Sequence, residues 1–325
     1  MSKCLGCYEP LYETVDDEEN YHATCSRRLF GTSKPPYVDF GRDDIQALAE
    51  KQISRHLGIT GVQPKITLHL IKDPVHDFHR LTLVGLWGGF ILKPPTVRFP
   101  DMPVIEDLTM HLAAAAGITT ARHGLIRLKS GEFAYITKRF DREKHARKIA
   151  TEDFCQLSGL LTERKYKTSM EKAGKVILRF SSRPGLDVLT FVDITLFSFL
   201  TGNSDMHLKN FSLICAGGPD GKSGEYVLSP AYDLLATRLM PIKDLEEMAL
   251  TVNAKKSKLK RSDFEAMARA LQVGERALHN SFARLEKAVP EMKALVKKSF
   301  LSTGMQKSYL QLIKERALRL GFRKI

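Results

Sequence analysis

Apolar and polar positions alternate over residues 66–71, Ile-Thr-Leu-His-Leu-Ile, and this period of two predicts a strand. Residues 81–86, the Gly88-Gly89 pair and residues 90–92 read as a hairpin. Residues 123–128 and 132–140 read as a second hairpin, turning at Ser130-Gly131. Between them, Pro103 suits the first turn of a helix, Glu106 and Asp107 complement its dipole there, and Gly117 can close it. Residues 141–148 form a charged connector, and beyond it the pattern turns helical. Thr151 is placed to cap a helix running to Leu160, residues 186–201 form an apolar run suited to a buried helix, and three amphipathic segments follow from Ser262 onward. A short β insertion interrupts them: residues 211–215, a Gly/Pro/Asp loop at 217–224, and residues 226–228. The expectation is an α+β fold of two lobes, β-rich over residues 36–145 and mainly helical over 146–325, behind a short Cys/His segment at 1–35.

Composition narrows the class. A chain of 325 residues can bury two cores, and 43% hydrophobic with 27% charged residues is ordinary for a globular protein. The most apolar run is interrupted by Asp187 and Asp193, so no membrane span is expected. The first seven residues lack the apolar core of a signal peptide, which points to the cytoplasm. Net charge is +13, from 50 Lys+Arg against 37 Asp+Glu, and such an excess favours polyanionic ligands. The basic residues are spread out. Their one cluster, Lys255, Lys256, Lys258, Lys260 and Arg261, has no interleaved aromatics, so direct nucleic-acid binding is not expected.

Five cysteines without an export signal read as reduced thiols or metal ligands rather than a disulfide framework. Cys4-x₂-Cys7 and His22-x₂-Cys25 form two metal-type pairs separated by 14 residues, a set that suits structural, tetrahedral Zn²⁺; reduced thiols packed beneath a small lobe are the alternative.

The segment Gly202-Asn203-Ser204-Asp205-Met206-His207-Leu208-Lys209-Asn210 follows the apolar run and precedes a strand. Phosphoryl transfer needs a carboxylate to accept the proton of the attacking hydroxyl and an amide oxygen to hold Mg²⁺. Asp205 and Asn210 are five residues apart, the D-x-x-x-x-N separation of a kinase catalytic loop, and Asp233 in Ser229-Pro230-Ala231-Tyr232-Asp233 supplies a second carboxylate for the metal. D-x-x-x-x-N alone recurs by chance in turns; the ordered combination with Asp233 behind a β lobe is far more specific. His207 reads as a structural, hydrogen-bonded residue. In the β lobe, the glycine-containing stretch with Thr60, Gly61, Val62, Gln63 and Lys65 suits contact with phosphates, although it is no Walker loop. Lys93 is the candidate for pairing the nucleotide phosphates, with Glu106 to orient it.

The motifs G-V-Q-P-K (61–65), I-L-K-P (91–94), K-R-F-D-R (138–142), E-D-F-C-Q (152–156), S-D-M-H-L-K-N-F-S (204–212) and L-S-P-A-Y-D (228–233) together resemble the HipA toxin kinases, in order from about Arg55 onward. The resemblance implies a protein-kinase-like fold and a serine/threonine kinase using ATP and Mg²⁺, with Asp205 as base and Asn210 and Asp233 as Mg²⁺ ligands. Lys93 would bind the phosphates, and Lys138, Arg139 and Phe140 would lie beside adenine. His207 and Lys209 fall within the implied ATP-binding set. It further implies a protein substrate in translation, typically an aminoacyl-tRNA synthetase, and a DNA-binding HipB-like antitoxin. The short segment ahead of the glycine loop is similar to the HipT branch, in which a separate small HipS-like protein completes the toxin. Two departures stand out. Gly58 and Thr60 occupy the positions of the loop serines that autophosphorylate in such kinases, so self-inhibition by loop phosphorylation is either lost here or moved to Thr60, whose other reading is a loop-stabilising hydroxyl. Lys138 stands where an acidic residue is common. A small-molecule kinase and a catalytically silent corepressor are the competing readings.

Overall fold

The computed structural model describes residues 2–11, 20–41, 44–45, 64–73, 78–83, 88–143, 147–216, 224–241 and 246–323. Thr60, Gly61, Val62 and Gln63 lie outside these residues, as do most of the loop at 217–224 and the end of the expected 81–86 strand. The chain divides into two compact units. Unit 1 holds Met1–Asp107, Ala121–Arg147 and Lys298–Phe300; unit 2 holds Leu108–Thr120, Lys148–Lys297 and Leu301–Ile325.

Unit 1 is built on an antiparallel five-stranded sheet of order β2-β1-β3-β5-β4. The strands are β1 (Ile66–Lys72), β2 (His79–Leu83), β3 (Phe90–Lys93), β4 (His123–Arg127) and β5 (Phe133–Lys138). The β4–β5 hairpin forms as the pattern predicts, with Gly131 at φ 95° in the turn. The first expected hairpin does not. β2 pairs with one edge of β1, and β3 pairs with the other through Ile66↔Leu92 and Leu68↔Phe90. Gly88 explains this: a Cβ there would meet the Leu68 carbonyl oxygen at 2.3 Å, so the glycine permits a close approach to β1 rather than a turn between 81–86 and 90–92. Helix α1 (Ala23–Leu29) precedes the sheet. The N-terminal segment reaches β4 through the Leu125 amide on the Leu5 carbonyl (3.2 Å) and the Tyr21 hydroxyl on the Leu125 carbonyl (2.6 Å).

Helix α2 (Met102–Ala115) begins in unit 1 and ends in unit 2, closed by Gly117 at φ 80°. Its first turn contains no acidic residue. Glu106 and Asp107, expected to serve the dipole, sit one turn later and are buried: Glu106 pairs with Lys93, and Asp107 accepts from Tyr8 (2.6 Å) and bonds His123 (2.7 Å).

Unit 2 is mainly helical. Thr151 does not cap a helix. Thr151–Asp153 is strand β6, paired to β7 (Ser212–Cys215), which in turn pairs with β8 (Tyr226–Leu228). The ladder claims the Thr151 backbone, and Asp153 caps the short α3 (Phe154–Leu157) through a capping box with Gln156. Next come α4 (Met170–Phe180), capped by Ser169, and α5 (Pro184–Thr201), with proline in its first turn and Gly202 at φ 76° as its cap. By length and composition α5 could cross a membrane, against the expectation from its two aspartates, but 67% of it is buried in the unit. The three C-terminal amphipathic segments fold as α6 (Arg261–Ala270), α7 (Glu275–Lys298) and α8 (Thr303–Arg319).

Candidate functional site

In unit 2, the left-handed Gly202 ends α5 and releases the chain into the 203–210 loop. Thr237 pins this loop, accepting from the Ser204 amide (2.9 Å) and bonding the Ser204 hydroxyl (2.7 Å). Asn203 accepts from the Asp205 amide at 3.2 Å. A single 3₁₀ turn, Leu208–Asn210, then brings the Asn210 Oδ1 back onto the His207 amide at 3.0 Å. Asn210 Nδ2 donates to Asp233 Oδ2 at 3.0 Å, which joins the loop to the turn after β8. Asp233 itself has φ 60°, a conformation that costs an L-residue about 1–2 kcal/mol and persists where surrounding structure imposes it.

Asp205 is exposed, and its Oδ1 accepts a 2.8 Å hydrogen bond from the Tyr166 hydroxyl. Tyr166 also stands edge-on to His207, ring centroids 5.0 Å apart. Burial and then the Asp205 charge push the Tyr166 phenol well above its ordinary value. Burial holds the His207 imidazole below its ordinary value, against the opposing pull of Asp205. The loop thus brings Asp205 and His207 to Tyr166 and joins Asn210 to Asp233; Tyr166 is a residue the sequence did not point to, because nothing local to it signals a partner 39 positions away. Lys209 does not join them: its ammonium pairs with Asp153 at 2.6 Å.

Two oxygen-bearing groups here suit a hard cation such as Mg²⁺. The Asp233 carboxylate fits directly. Asn210 presents its nitrogen to Asp233, because its oxygen already holds the His207 amide, so it reaches a metal through oxygen only after the amide group turns.

In unit 1, β3 ends on Lys93, whose ammonium forms a buried ion pair with Glu106 and lies 5.3 Å from the centre of the Tyr135 ring. The side chains are only 5% and 1% exposed, so the pair offsets part of the cost of burying each charge. At the end of β5, burial, with Arg122 nearby, lowers the Lys138 ammonium. Arg139 folds onto Asp141 through two hydrogen bonds of 2.9 and 2.7 Å, and its amide donates to the Gly89 carbonyl. Burial raises the Asp141 carboxyl, but Arg139 and Arg142 outweigh it and hold the group below the usual range. Phe140 is half-buried, and Lys65 is exposed just ahead of β1. Cys4, Cys7, His22 and Cys25 converge near α1, with their ligand atoms all within 4.8 Å of one another.

The two units and these clusters define an α+β, protein-kinase-like fold of the HipA type, the class expected from the sequence. Among solved structures, the fold is similar to that of a chain in the Shewanella oneidensis MR-1 toxin–antitoxin complex of HipA, HipB and its operator DNA (TM-score 0.66, 20% identity, 84% of this chain and 71% of that one). It is also similar to the Helicobacter pylori proinflammatory kinase CtkA (TM-score 0.55, 16% identity, 78% and 94%). The chain belongs to the family of the HipA-like C-terminal domain, whose profile matches residues 57–293. Curated relatives include two Sinorhizobium fredii proteins and one from Haemophilus influenzae, each named "Putative kinase". Y4mE of S. fredii is 34% identical over 57% of this chain and 43% of its own length. The H. influenzae protein is 29% identical over 63% and 60%. The chain spans about half the length of the curated relatives it matches.

Proposed function

We propose that this chain is a toxin serine/threonine protein kinase that transfers the γ-phosphate of ATP to a protein. The observation that carries the reading is the 203–210 loop of unit 2. It holds the Asp205 carboxylate exposed beside a hydroxyl donor and links Asn210 to an Asp233 kept in a left-handed conformation. In a chain of a family whose curated relatives bear the name kinase, this is the arrangement phosphoryl transfer requires.

Each residue then has a role. Asp205 orients the attacking hydroxyl and accepts its proton, the bond it now receives from Tyr166 being the kind it would make to a substrate hydroxyl. Asp233, and Asn210 once turned, hold the cation; Lys93, oriented by Glu106, holds phosphate oxygens. Lys138, Arg139 and Phe140 flank the base. ATP supplies the phosphoryl group, and Mg²⁺ supplies charge neutralisation. We read residues 36–145 as the nucleotide-holding lobe and 146–325 as the catalytic lobe, with Thr60 as the candidate of the glycine loop for self-modification.

The finer reading places the chain in the HipT branch, in the cytoplasm, with a translation protein such as an aminoacyl-tRNA synthetase as substrate. A DNA-binding HipB-like antitoxin is its proposed partner, a reading supported by the similar fold of a chain in the HipA–HipB–operator complex. A small HipS-like protein is the second.

Incubation with labelled ATP, Mg²⁺ and cytosolic extract tests this. A labelled protein band is expected, and Asp205→Asn should reduce it about 10²–10⁴-fold while nucleotide affinity stays near wild type. A labelled metabolite would point to a small-molecule kinase, and no label at all to a binding-only corepressor.

A further inference from the structure

The N-terminal part of unit 1 lies ahead of the 57–293 family match and carries chemistry that the phosphoryl-transfer reading does not use. Cys4 and Cys7 stand on a tight turn, and His22 and Cys25 at the start of α1. We propose that Cys4, Cys7, His22 and Cys25 bind one Zn²⁺ in a closed tetrahedral site that fastens this segment together against β4.

The ligand count and type fit. Three thiols and one imidazole are the soft and borderline donors of structural zinc, and four of them leave no coordination position for chemistry. With Zn–S bonds of about 2.3 Å, the ligand atoms of a tetrahedron stand about 3.8 Å apart. The four atoms here lie within 4.8 Å of one another, and Cys7 Sγ is 3.4 Å from His22 Nδ1. They therefore need only a small contraction onto a metal, whereas none of the three thiols is bonded to another as a disulfide.

The outer contacts agree with the same assignment. His22 Nε2 stands 3.1 Å from the Pro10 carbonyl oxygen, which can only accept, so the ring proton belongs on Nε2. The lone pair of Nδ1 is then left facing the thiols, and a carbonyl behind the ring is the usual outer support of a metal-bound histidine. Cys4 Sγ receives two backbone N–H groups, from Gly6 at 3.4 Å and His22 at 3.3 Å, donors that favour a thiolate over a thiol. The turn that aims both cysteines inward is closed by the Tyr8 amide on the Cys4 carbonyl (2.9 Å). It depends on Gly6, since a Cβ there would strike the Tyr21 ring at 2.6 Å. Tyr21 in turn holds β4 through Leu125, so the ligand turn, α1 and the sheet meet around one small volume.

On binding, three thiol protons pass to solvent, and the centre of three thiolates, one neutral imidazole and Zn²⁺ carries a net charge of −1. The metal would tie residues 4–7 to residues 22–25 across 14 intervening positions.

The test uses the untagged full chain, purified and handled in reductant. It should contain about one zinc per chain, and Co²⁺ exchanged into it should show the intense visible bands of a tetrahedral site with thiolate charge transfer. Cys25→Ser should weaken metal affinity by more than about 100-fold, while Cys215→Ser, outside the cluster, should leave it intact. His22→Cys should keep one metal and raise the charge-transfer band in the ratio of four thiolates to three. Because ligand variants can fail to fold, the cobalt spectrum of the wild-type chain decides independently. No metal uptake, a weak octahedral-type spectrum, or equal loss in Cys215→Ser would each overturn the site. None of these readouts depends on phosphoryl transfer.

Discussion

Lys93 and Glu106 in unit 1 and Asp205 and Asp233 in unit 2 are both pairs of charged side chains, yet they are built oppositely. The first pair carries opposite charges, lies almost fully out of water, and is in direct contact. The second carries like charges: Asp205 is exposed, Asp233 half-buried, and each is steadied by a neutral partner, Tyr166 for one and Asn210 for the other. A buried opposite pair offsets its own desolvation and holds a lysine in one place. Like charges near a surface cannot offset each other, and they persist because water and hydrogen-bond donors solvate them. The first arrangement therefore suits positioning, and the second suits receiving a cation and a proton.

The largest effect that separates the two is on stability. Lys93→Met leaves Glu106 buried without its counter-ion and should destabilise the chain by about 3–5 kcal/mol in chemical denaturation. Replacing both, Lys93→Met with Glu106→Leu, should recover most of that loss without restoring nucleotide binding. If the single and double variants are equally unstable, the pair is not self-compensating and the comparison fails.

Next is the backbone at Asp233. Asp233→Gly and Asp233→Ala lose the same carboxylate, so both should lose Mg²⁺-dependent nucleotide binding. The glycine variant should nevertheless be more stable by about 1–2 kcal/mol, because only glycine adopts φ 60° without strain. Equal stabilities would show that the left-handed backbone at 233 imposes no strain.

Tyr166→Phe is a smaller change. It removes one hydrogen bond to a solvent-exposed carboxylate and should cost no more than about 1 kcal/mol. Catalytic rate is the sharper readout: if the phenol occupies the place of the substrate hydroxyl, the phenylalanine variant keeps or exceeds wild-type turnover. A collapse in turnover would make Tyr166 part of the reacting machinery instead.

The mildest test is pH. Burial holds the folded His207 below its ordinary value of 6.5, so the unfolded chain takes up a proton that the folded chain resists. The stability His207 contributes is complete above pH 6.5 and falls as the pH drops below it. His207→Gln should flatten the stability curve in that window; an unchanged slope would assign the pH dependence elsewhere.

Features whose cause is local could be read from the chain alone. Pro184 and Gly202 bracket an apolar run, and α5 forms between them. Ser130-Gly131 turns the β4–β5 hairpin because glycine can take positive φ there. The five-residue spacing of Asp205 and Asn210 is likewise a property of one short loop, and the three C-terminal helices announced themselves by their amphipathic period. Other features depend on partners far away in sequence. Nothing near Gly88 says that β1 must lie between β2 and β3; the close approach of the Leu68 carbonyl does. Thr151 looked like a helix cap until β7 supplied a ladder for its backbone. Glu106 and Asp107 looked like dipole partners until Lys93, Tyr8 and His123 took them. Tyr166 met Asp205, and Lys209 turned to Asp153, only on folding. Periodicity, caps and turn residues act within a few positions and so can be read from the sequence. Strand order and side-chain pairing are chosen by long-range packing, in which each group takes whichever partner satisfies it best once water is removed.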